Sequence, residues 1–385
     1  MMKPVLKTVA DQPSWILRSG SVELALTQLG GHMAPVTFYR DSAAPIQPYY
    51  INPWHAEGLT IPDPVLVPLR GDFFCMPFGA NRQYKGRKVE LHGDSATKKW
   101  TFAGASGDRG RSSIALEMKT GLPIPGKLTK VVHLVDGQNV VYTSDVLEGF
   151  AGTFPLGHHA TLAMPARESS VHVVTSPFRF GMTFPIPPSS PAEGAYYTIE
   201  PAQRFKALSR VPTIFKSPAW DDLSRYPARK GYCDLVACFH AAGRSPAWTT
   251  ACFEDEGFIW FSLKDAAVLP TMMIWAENQG RYPAPWSGRN CCVGLEDVCG
   301  FFSLGLEESA RPNALTRAGV KTAHTLRPRH PFAVHYIQGV VKVPRGFGAV
   351  KTLQFAPGEG RFVSTSGKTV ASPVDHEFLA SGSIL

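Results

Sequence analysis

The sequence lacks the short motifs that bind nucleotides or catalytic zinc. It has no G-x-x-x-x-G-K-[ST] loop, no glycine fingerprint following a strand, and no H-E-x-x-H helix. Its serine-containing stretches also lack the strand–turn–helix context of a nucleophile elbow. These absences set aside phosphate-cradling enzymes, zinc proteases and serine hydrolases of the nucleophile-elbow type.

Paired cysteines and long apolar runs are missing as well. The seven cysteines form an odd set without any C-x-x-C pair, which argues against a disulfide framework and favours reduced thiols in a cytosol. No run approaches the roughly 18 apolar residues that a membrane helix needs. The segment MMKPVLKTVADQPSW has no apolar region typical of a signal peptide. The sequence therefore predicts a soluble, cytoplasmic protein without a membrane partner.

Charged residues are few and scattered. They make up 18% of the chain, and 39 basic against 31 acidic residues give a net charge of +8. This excess weakly favours anionic partners, but no block of Lys and Arg is present, so we expect no nucleic-acid partner. Hydrophobic residues reach 44% over 385 positions, which is typical of a globular protein with a substantial core.

Apolar residues alternate along the chain instead of following a helical period. In SVELALTQL, Val22, Leu24 and Leu26 fall on one face of a strand. The Asp136-Gly137 pair between two apolar runs predicts a β-hairpin. Further strands are predicted for SSVHVVTSPFRFGM, GFIWFSLKD, PTMMIWAE and HYIQGVVKVP, and the 35 glycines and 33 prolines would supply the turns. The pattern indicates an all-β fold.

One segment interrupts this pattern. FPIPPSSPAEGAYY, residues 184–197, is rich in proline and is interpreted as a long loop or a connection between sheets near 184–194. A domain boundary is the alternative, but the strand patterns on its two sides look alike. We therefore predict a single antiparallel β-sandwich domain spanning residues 1–385.

Three polar clusters lie beside predicted strands and supply the candidate functional residues. Imidazole and carboxylate groups are the usual general acids and bases, so their clustering suggests proton transfer. A lone histidine is more often structural, and a glutamate after a strand can simply cap it. Two histidines and a glutamate could also hold a metal, but their long spacing does not support a metal site. The candidates are Asn81, Arg82, His92, His158, His159, Glu277, Tyr282, Trp286 and Glu296.

The order and wording of these clusters resemble the galactose mutarotase (aldose 1-epimerase) superfamily. FGANRQYKGRKVELHG is similar to the family's arginine-to-histidine segment, although the interval between Arg82 and His92 is shorter than in the typical galactose enzyme. GHHATLAMP is similar to the segment with the second histidine, and VGLEDV to the late glutamate segment. ELALTQLGGHMAPVTF resembles the family's opening hairpin. Together these short motifs span most of the chain.

The resemblance implies a large antiparallel β-supersandwich and a set of roles. It makes Glu296 the general base that takes the anomeric proton, and His159 the acid that protonates the ring oxygen, with His158 as the fallback. The two catalytic side chains are expected to face each other across a sugar-sized gap. The family's aspartate has no secure counterpart, and Asp221 and Asp222 are the two candidates. Residues expected to contact the sugar are Asn81, Arg82, His92, His158, Glu277, Tyr282 and Trp286.

The expected activity is the interconversion of aldose anomers by ring opening, with no cofactor and no metal. A carboxylate and an imidazolium on two sides of a sugar ring would move one proton at O1 and another at O5. We expect a modest rise in the pKa of both groups, by desolvation for the glutamate and by a nearby carboxylate for the histidine. Two alternatives stay open: a non-catalytic carbohydrate-binding protein, and a polysaccharide-processing enzyme on the same fold. The sequence does not identify the oligomeric state.

Overall fold

The computed structural model describes residues 5–80, 83–108 and 110–384. Strands dominate it. In chain order they are β1 (Lys7–Val9), β2 (Gln12–Arg18), β3 (Val22–Thr27), β4 (Met33–Phe38), β5 (Phe74–Cys75), β6 (Gln83–Tyr84), β7 (Arg87–Lys88), β8 (Thr101–Asp108), β9 (Arg111–Thr120), β10 (Gly126–Val135), β11 (Val140–Glu148), β12 (Gly152–Phe154), β13 (Leu156–Ala163), β14 (Val171–Thr175), β15 (Phe180–Thr183), β16 (Arg204–Phe205), β17 (Val211–Pro212), β18 (Trp220–Asp221), β19 (Arg225–Tyr226), β20 (Tyr232–Phe239), β21 (Ala247–Phe253), β22 (Phe258–Lys264), β23 (Thr271–Asn278), β24 (Cys291–Cys299), β25 (His324–Leu326), β26 (Phe332–Lys342), β27 (Val350–Ala356), β28 (Glu359–Ser364) and β29 (Thr369–Pro373).

Helices are short. They are α1 (Asp94–Thr97), α2 (Leu306–Ala310), α3 (Ala314–Arg317) and α4 (Phe378–Ser381), with 3-10 helices at Pro64–Leu66, Pro191–Glu193 and Leu208–Arg210. Within the described ranges, no helix has the length and apolar character needed to cross a membrane.

Two large antiparallel sheets form the body of the protein. One has nine strands in the order β19-β14-β21-β22-β26-β11-β10-β9-β8, and the other has seven in the order β16-β15-β20-β23-β24-β13-β5. The predicted hairpin at Asp136-Gly137 is confirmed, because β10 and β11 pair directly across it. This architecture confirms the all-β prediction and the supersandwich class.

The proline-rich segment is a connection within the seven-stranded sheet. β15 ends at Thr183 and β16 begins at Arg204, and these two strands pair with each other across the segment. Both large sheets also combine strands that precede the segment with strands that follow it. The loop therefore does not separate two sheets, and the single-domain interpretation of residues 1–385 stays a prediction.

Strand alternation gives the seven-stranded sheet two different faces. On β13 and β24, Ala160, Leu162, Val293 and Leu295 face the other large sheet and belong to the main hydrophobic core. Residues of opposite parity face outward. There a second apolar cluster includes Trp54, Phe73, Met273, Trp275 and Val298. The outward face is therefore where a site can form against a rigid sheet.

Candidate active site

A cavity of about 1000 Å³ opens on the outward face of the seven-stranded sheet. Strand residues of β13, β20, β23 and β24 form its floor, while the hairpin β6–β7, the proline-rich loop and the region around α2 supply its walls. Polar and aromatic lining residues are Asp63, Phe73, Gln83, Tyr84, His92, His159, Phe184, Trp275, Arg281, Trp286, Glu296, Ser303, Glu307 and Glu308. The size is at the upper end of the range for small-molecule sites.

His159 and Glu296 meet at the floor of this cavity. They are directly opposite in the register of β13 and β24, so both side chains emerge on the same face. His159 Nε2 lies 3.3 Å from Glu296 Oε1. Gly294 permits this arrangement, because a Cβ there would lie only 3.0 Å from the same carboxylate oxygen. The second oxygen, Glu296 Oε2, is buried and has no hydrogen-bond partner among the described residues.

Burial sets the protonation of this pair. Glu296 is 1% exposed and His159 is 5% exposed. Desolvation raises the pKa of the Glu296 carboxyl well above its ordinary value. Desolvation also lowers the pKa of His159 to about 4. Burial therefore favours the uncharged form of each group, a protonated carboxyl and a neutral imidazole.

Phe73 fixes the ring of His159. Its ring stacks on His159 with a centroid distance of 4.6 Å and an angle of 16°. His32 stacks on the other face of Phe73 at 4.0 Å. The Nδ1 atom of His159 is 3.2 Å from the Thr161 hydroxyl oxygen. The imidazole is thus held by stacking on one side and by a hydroxyl on its own strand.

His92 enters the cavity from the turn that precedes α1. Its backbone has a φ of 60°, which is unusual for a residue other than glycine and is typical of functional sites. Gly93 follows, where a Cβ would lie 2.1 Å from the Met76 carbonyl oxygen, so only glycine fits. The ring centroid of His92 is 5.1 Å from that of His159, and the two rings meet edge to face. The Gly79 N–H donates to His92 Nδ1 at 3.3 Å, which places the ring proton of a neutral imidazole on Nε2.

An arginine and two tryptophans form a second wall. The Arg281 guanidinium lies 5.4 Å from the Trp275 ring centroid and 4.9 Å from that of Trp286. Behind it, Glu277 Oε2 is 3.5 Å from Arg281 Nε. The rings of Trp275 and His159 pack edge to face, with their centroids 5.9 Å apart. This wall offers aromatic faces, and it holds a cation over Trp275, whose ring also packs on that of His159.

Solved structures, but not sequences, match this chain. No protein-family profile and no curated protein matches it. A galactose mutarotase-like protein from Clostridium acetobutylicum is 11% identical with a TM-score of 0.59, covering 89% of this chain and 99% of its own. A galactose mutarotase related enzyme from Lactobacillus acidophilus is 10% identical with a TM-score of 0.54, covering 86% of this chain and 99% of its own.

A galactose mutarotase-like protein from Lactobacillus casei gives the same result. It is 10% identical with a TM-score of 0.55, covering 85% of this chain and 100% of its own. This chain has the galactose mutarotase-like fold. The recognition made from sparse motifs is thereby confirmed at the level of the fold, and at this identity the likeness carries no activity with it.

Several predicted site residues come together within this mutarotase-like sandwich. Glu296, His159, His92 and Trp286 all line the cavity. The predicted gap between His159 and Glu296 is wrong, because the two side chains are in direct contact. The predicted rise in the pKa of His159 is also wrong, since burial outweighs the influence of nearby carboxylates.

His158 is the clearest correction. Alternation on β13 sends its ring to the opposite face from His159, into the core between the two large sheets. The residue is fully buried, with Nδ1 2.9 Å from Asp72 Oδ2. It does not line the cavity, so it is neither a sugar contact nor a fallback acid for a ligand bound there.

Other predicted contacts lie away from the cavity lining or beyond the described part. Asn81 and Arg82 lie outside the described residues. Tyr282 is 57% exposed and packs edge to face on Tyr196 rather than lining the cavity. Glu277 contacts the cavity only through Arg281, whose guanidinium it supports from behind.

The family's aspartate is not supplied by either candidate. Asp221 pairs with Arg229, and Asp222 accepts from the Ser224 backbone N–H at 2.9 Å. Neither of the two lines the cavity. Among the described residues, no group of three or more His, Cys, Asp or Glu side chains could hold a metal ion.

Sequence reasoning missed two residues that shape the site. Phe73 lies in the apolar run GDFFCMPF, which carries no motif, and Arg281 is not among the candidate residues. The available signal near Phe73 was Asp72, an acidic residue inside an apolar run. Trp275 both packs in the second apolar cluster and lines the cavity.

Proposed function

We propose that this chain is a cofactor-free sugar mutarotase, which interconverts the anomers of an aldose by opening its ring. The observation that carries the proposal is the His159–Glu296 pair, buried at the floor of a large cavity. An imidazole and a carboxyl that share one proton can donate and accept in the same event. Supporting it, the fold is that of proteins named as mutarotase-related, to which this chain is only 10–11% identical.

The protonation of the pair assigns the roles in this proposal. Because Glu296 rests protonated and His159 rests neutral, the carboxyl is the group that delivers a proton to the ring oxygen. His159 accepts the proton of the anomeric hydroxyl at Nε2 as the carboxyl proton that this nitrogen faces leaves for the ring oxygen. Rotation about the C1–C2 bond of the open aldehyde and reclosure with the roles reversed give the other anomer. These roles invert those implied by the family resemblance.

The direct contact between the pair has a mechanistic consequence. Since Nε2 of His159 lies 3.3 Å from Glu296 Oε1, a bound sugar has to meet the pair from the cavity side rather than enter between the two groups. Glu296 Oε2, which lacks a partner among the described residues, is the carboxyl oxygen left for a sugar atom. His92 supplies a further N–H donor from the adjacent wall.

The aromatic walls suit a sugar ring. Pyranoses present a flat face of C–H groups that packs on aromatic rings, and Trp286 is half-buried with its face partly covered by Arg281. Arg281 offers N–H donors for the hydroxyl groups of a sugar, and the Trp275 ring packs on both Arg281 and His159. An aldose is therefore the small-molecule partner in this proposal, and a cytoplasmic location accords with seven free cysteines.

A second candidate is a non-catalytic carbohydrate-binding protein on the same fold. The observation that favours it is the absence of a gap between His159 and Glu296, which would let the pair serve only to shape the cavity floor. The two functions differ in one measurement: magnetisation exchange between anomers of free and phosphorylated aldoses, recorded by NMR. Exchange accelerated by the wild-type chain and lost in E296Q supports catalysis. Binding without accelerated exchange supports the second candidate.

A further inference from the structure

A layer of buried charge lies directly behind the cavity floor. Six ionisable residues lie in the core there, five on strands of the two large sheets and one, Asp72, in the segment before β5, and each is at most 3% exposed. They are Asp72, Lys130, Asp145, His158, Lys264 and Asp297. We call this set the buried charge layer. Nothing in the proposed proton transfer uses it, and burying so many charges is costly unless they are paired.

His158 is at the centre of the buried charge layer. Its Nδ1 lies 2.9 Å from Asp72 Oδ2, and its Nε2 lies 3.4 Å from Asp145 Oδ2. The Lys130 ammonium in turn donates to Asp145 Oδ2 at 3.1 Å. The Tyr336 ring stacks on the imidazole with a centroid distance of 4.2 Å. The imidazole is thus bracketed by two carboxylates from different parts of the chain.

The second half of the layer is anchored by Asp297. Its Oδ1 lies 2.5 Å from the Lys264 ammonium. Its Oδ2 accepts from the Tyr336 hydroxyl at 2.8 Å and from the Ser262 hydroxyl at 2.7 Å. Because Tyr336 also stacks on His158, the two halves share a side chain and form one continuous packed unit.

The charges of the layer balance only if His158 is protonated. Three carboxylates face two ammonium groups and one imidazole, so an imidazolium brings the sum to zero. Burial alone would lower the pKa of His158, but the carboxylates of Asp72 and Asp145 outweigh it and raise that pKa above its ordinary value. The pKa values of His158 and His159, neighbours in sequence, are therefore shifted in opposite directions, upward in the core and downward in the cavity.

The layer is joined residue by residue to the cavity floor. Asp72 precedes Phe73, which stacks on His159, and His158 precedes His159 itself. Asp297 follows Glu296. Because side chains alternate across a strand, His159 and Glu296 each have a neighbour in the charge layer on the opposite face of the sheet, and Asp72 is next to Phe73 in the segment before β5.

We propose that His158 is a positioning residue: held between Asp72 and Asp145, it fixes the backbone that presents Phe73 and His159, and so sets the contact between His159 and Glu296. The inference rests on the proposed function for its catalytic meaning, but its geometric content is independent of that function. The backbone N–H groups of His159 and Thr161 donate to the carbonyl oxygens of Phe73 and Gly71, and the His158 imidazole adds a side-chain tie to this pairing. Loss of the imidazole leaves two buried carboxylates facing each other, and their repulsion strains the segment around Asp72.

The experiment uses the full-length chain labelled with 15N in its histidine rings. In the wild type, one histidine should show two protonated ring nitrogens at about pH 7.5, and D72N or D145N should abolish that signature. In H158Q, the ring signals of His159 should shift and broaden, because the stacked, dehydrated setting of His159 is loosened. D72N gives the same readout if H158Q does not fold.

A matched control removes a buried charge elsewhere. Asp234 is 4% exposed, and its carboxylate accepts from the backbone N–H groups of Thr198 and Ile199 rather than contacting β13. D234N should leave the His159 ring signals at their wild-type positions even where it lowers Tm as much as H158Q does. Identical His159 spectra in H158Q and the wild type, or equal shifts in H158Q and D234N, would overturn the proposal.

An activity measurement separates this proposal from the proposed function. If the wild type accelerates anomer exchange, H158Q should lower kcat by up to about 100-fold with a small change in KM, as expected for a displaced catalytic group. A change confined to KM would contradict positioning. If the wild type accelerates no exchange, the proposed function fails while the histidine spectra still decide the role of His158.

Discussion

Replacing Glu296 by glutamine should stabilise the protein increasingly as the pH rises. The carboxyl is buried, and the His159 imidazole beside it is neutral rather than charged. Ionisation of the carboxyl therefore opposes folding. Glutamine has nearly the same shape and cannot ionise. The Glu296 carboxyl should thus lower the free energy of unfolding above neutral pH, by an amount that can be calculated.

The magnitude follows from proton counting. In the unfolded chain, glutamate and histidine titrate near about 4.3 and 6.5. The folded wild-type pair keeps one proton, on Glu296, because burial raises its pKa well above the ordinary value and lowers that of His159 to about 4. Above about pH 6.5 the unfolded pair holds none, so the free energy of unfolding falls by about 1.4 kcal/mol per pH unit.

The E296Q chain behaves differently on both sides of that pH. Above about pH 6.5 neither its folded nor its unfolded state holds a proton at the pair, so its stability is flat. Between about pH 4.3 and 6.5 its unfolded state gains a proton on histidine while the folded state does not, so its stability rises with pH. In the same window the wild type holds one proton in both states and is flat. The free energy of unfolding of E296Q therefore increases relative to that of the wild type across both pH ranges.

Urea unfolding followed by tryptophan fluorescence at several pH values measures this difference. Between about pH 6.5 and pH 8 the gap should widen by up to about 2 kcal/mol. All other titrating groups, including the buried charge layer, are the same in both chains and cancel. Parallel pH profiles for the two chains would refute the reasoning, because they would mean that Glu296 is ionised in the folded state.

Three further outcomes are expected. H159N should slow anomer exchange by about 10²–10⁴-fold in exchange NMR, and a loss below about tenfold would remove His159 from the mechanism. W286A should raise KM about tenfold with a smaller change in kcat, because the half-buried ring gives the cavity wall an aromatic face; since the ring also packs on Trp54 and Trp275, Tm should fall too, and an unchanged KM would contradict the sugar-binding role. K264M should lower the urea-derived stability by about 3–5 kcal/mol by leaving Asp297 without its cation, and a loss under about 1 kcal/mol would contradict that pairing.

The fold was largely readable from the chain, because its signals are local. Alternation in SVELALTQL and the Asp136-Gly137 turn depend on neighbours in sequence, and the structure confirms both as β3 and the β10–β11 hairpin. The exposed basic side chains at Lys85, Arg87 and Lys88 also follow from local turn chemistry. The proline-rich segment was recognised as a loop for the same reason.

The site was only partly readable, because its decisive features depend on register. That His159 lies opposite Glu296 follows from the pairing of β13 with β24, strands more than a hundred residues apart. The same pairing places His158 in the core, although the family resemblance implies a role at the sugar site for both histidines. The low pKa of His159 comes from burial, which a sequence does not reveal, and Phe73 gained its role from a contact across segments.

In the proposed function, the buried His159–Glu296 pair opens sugar rings. The measurement that tests it most directly is anomeric exchange NMR on a panel of free and phosphorylated aldoses, with the wild-type chain and E296Q side by side. We expect exchange above the uncatalysed rate for at least one sugar with the wild type, and none with E296Q. Equal exchange with both chains, or none with the wild type for a sugar that it binds, would contradict the claim.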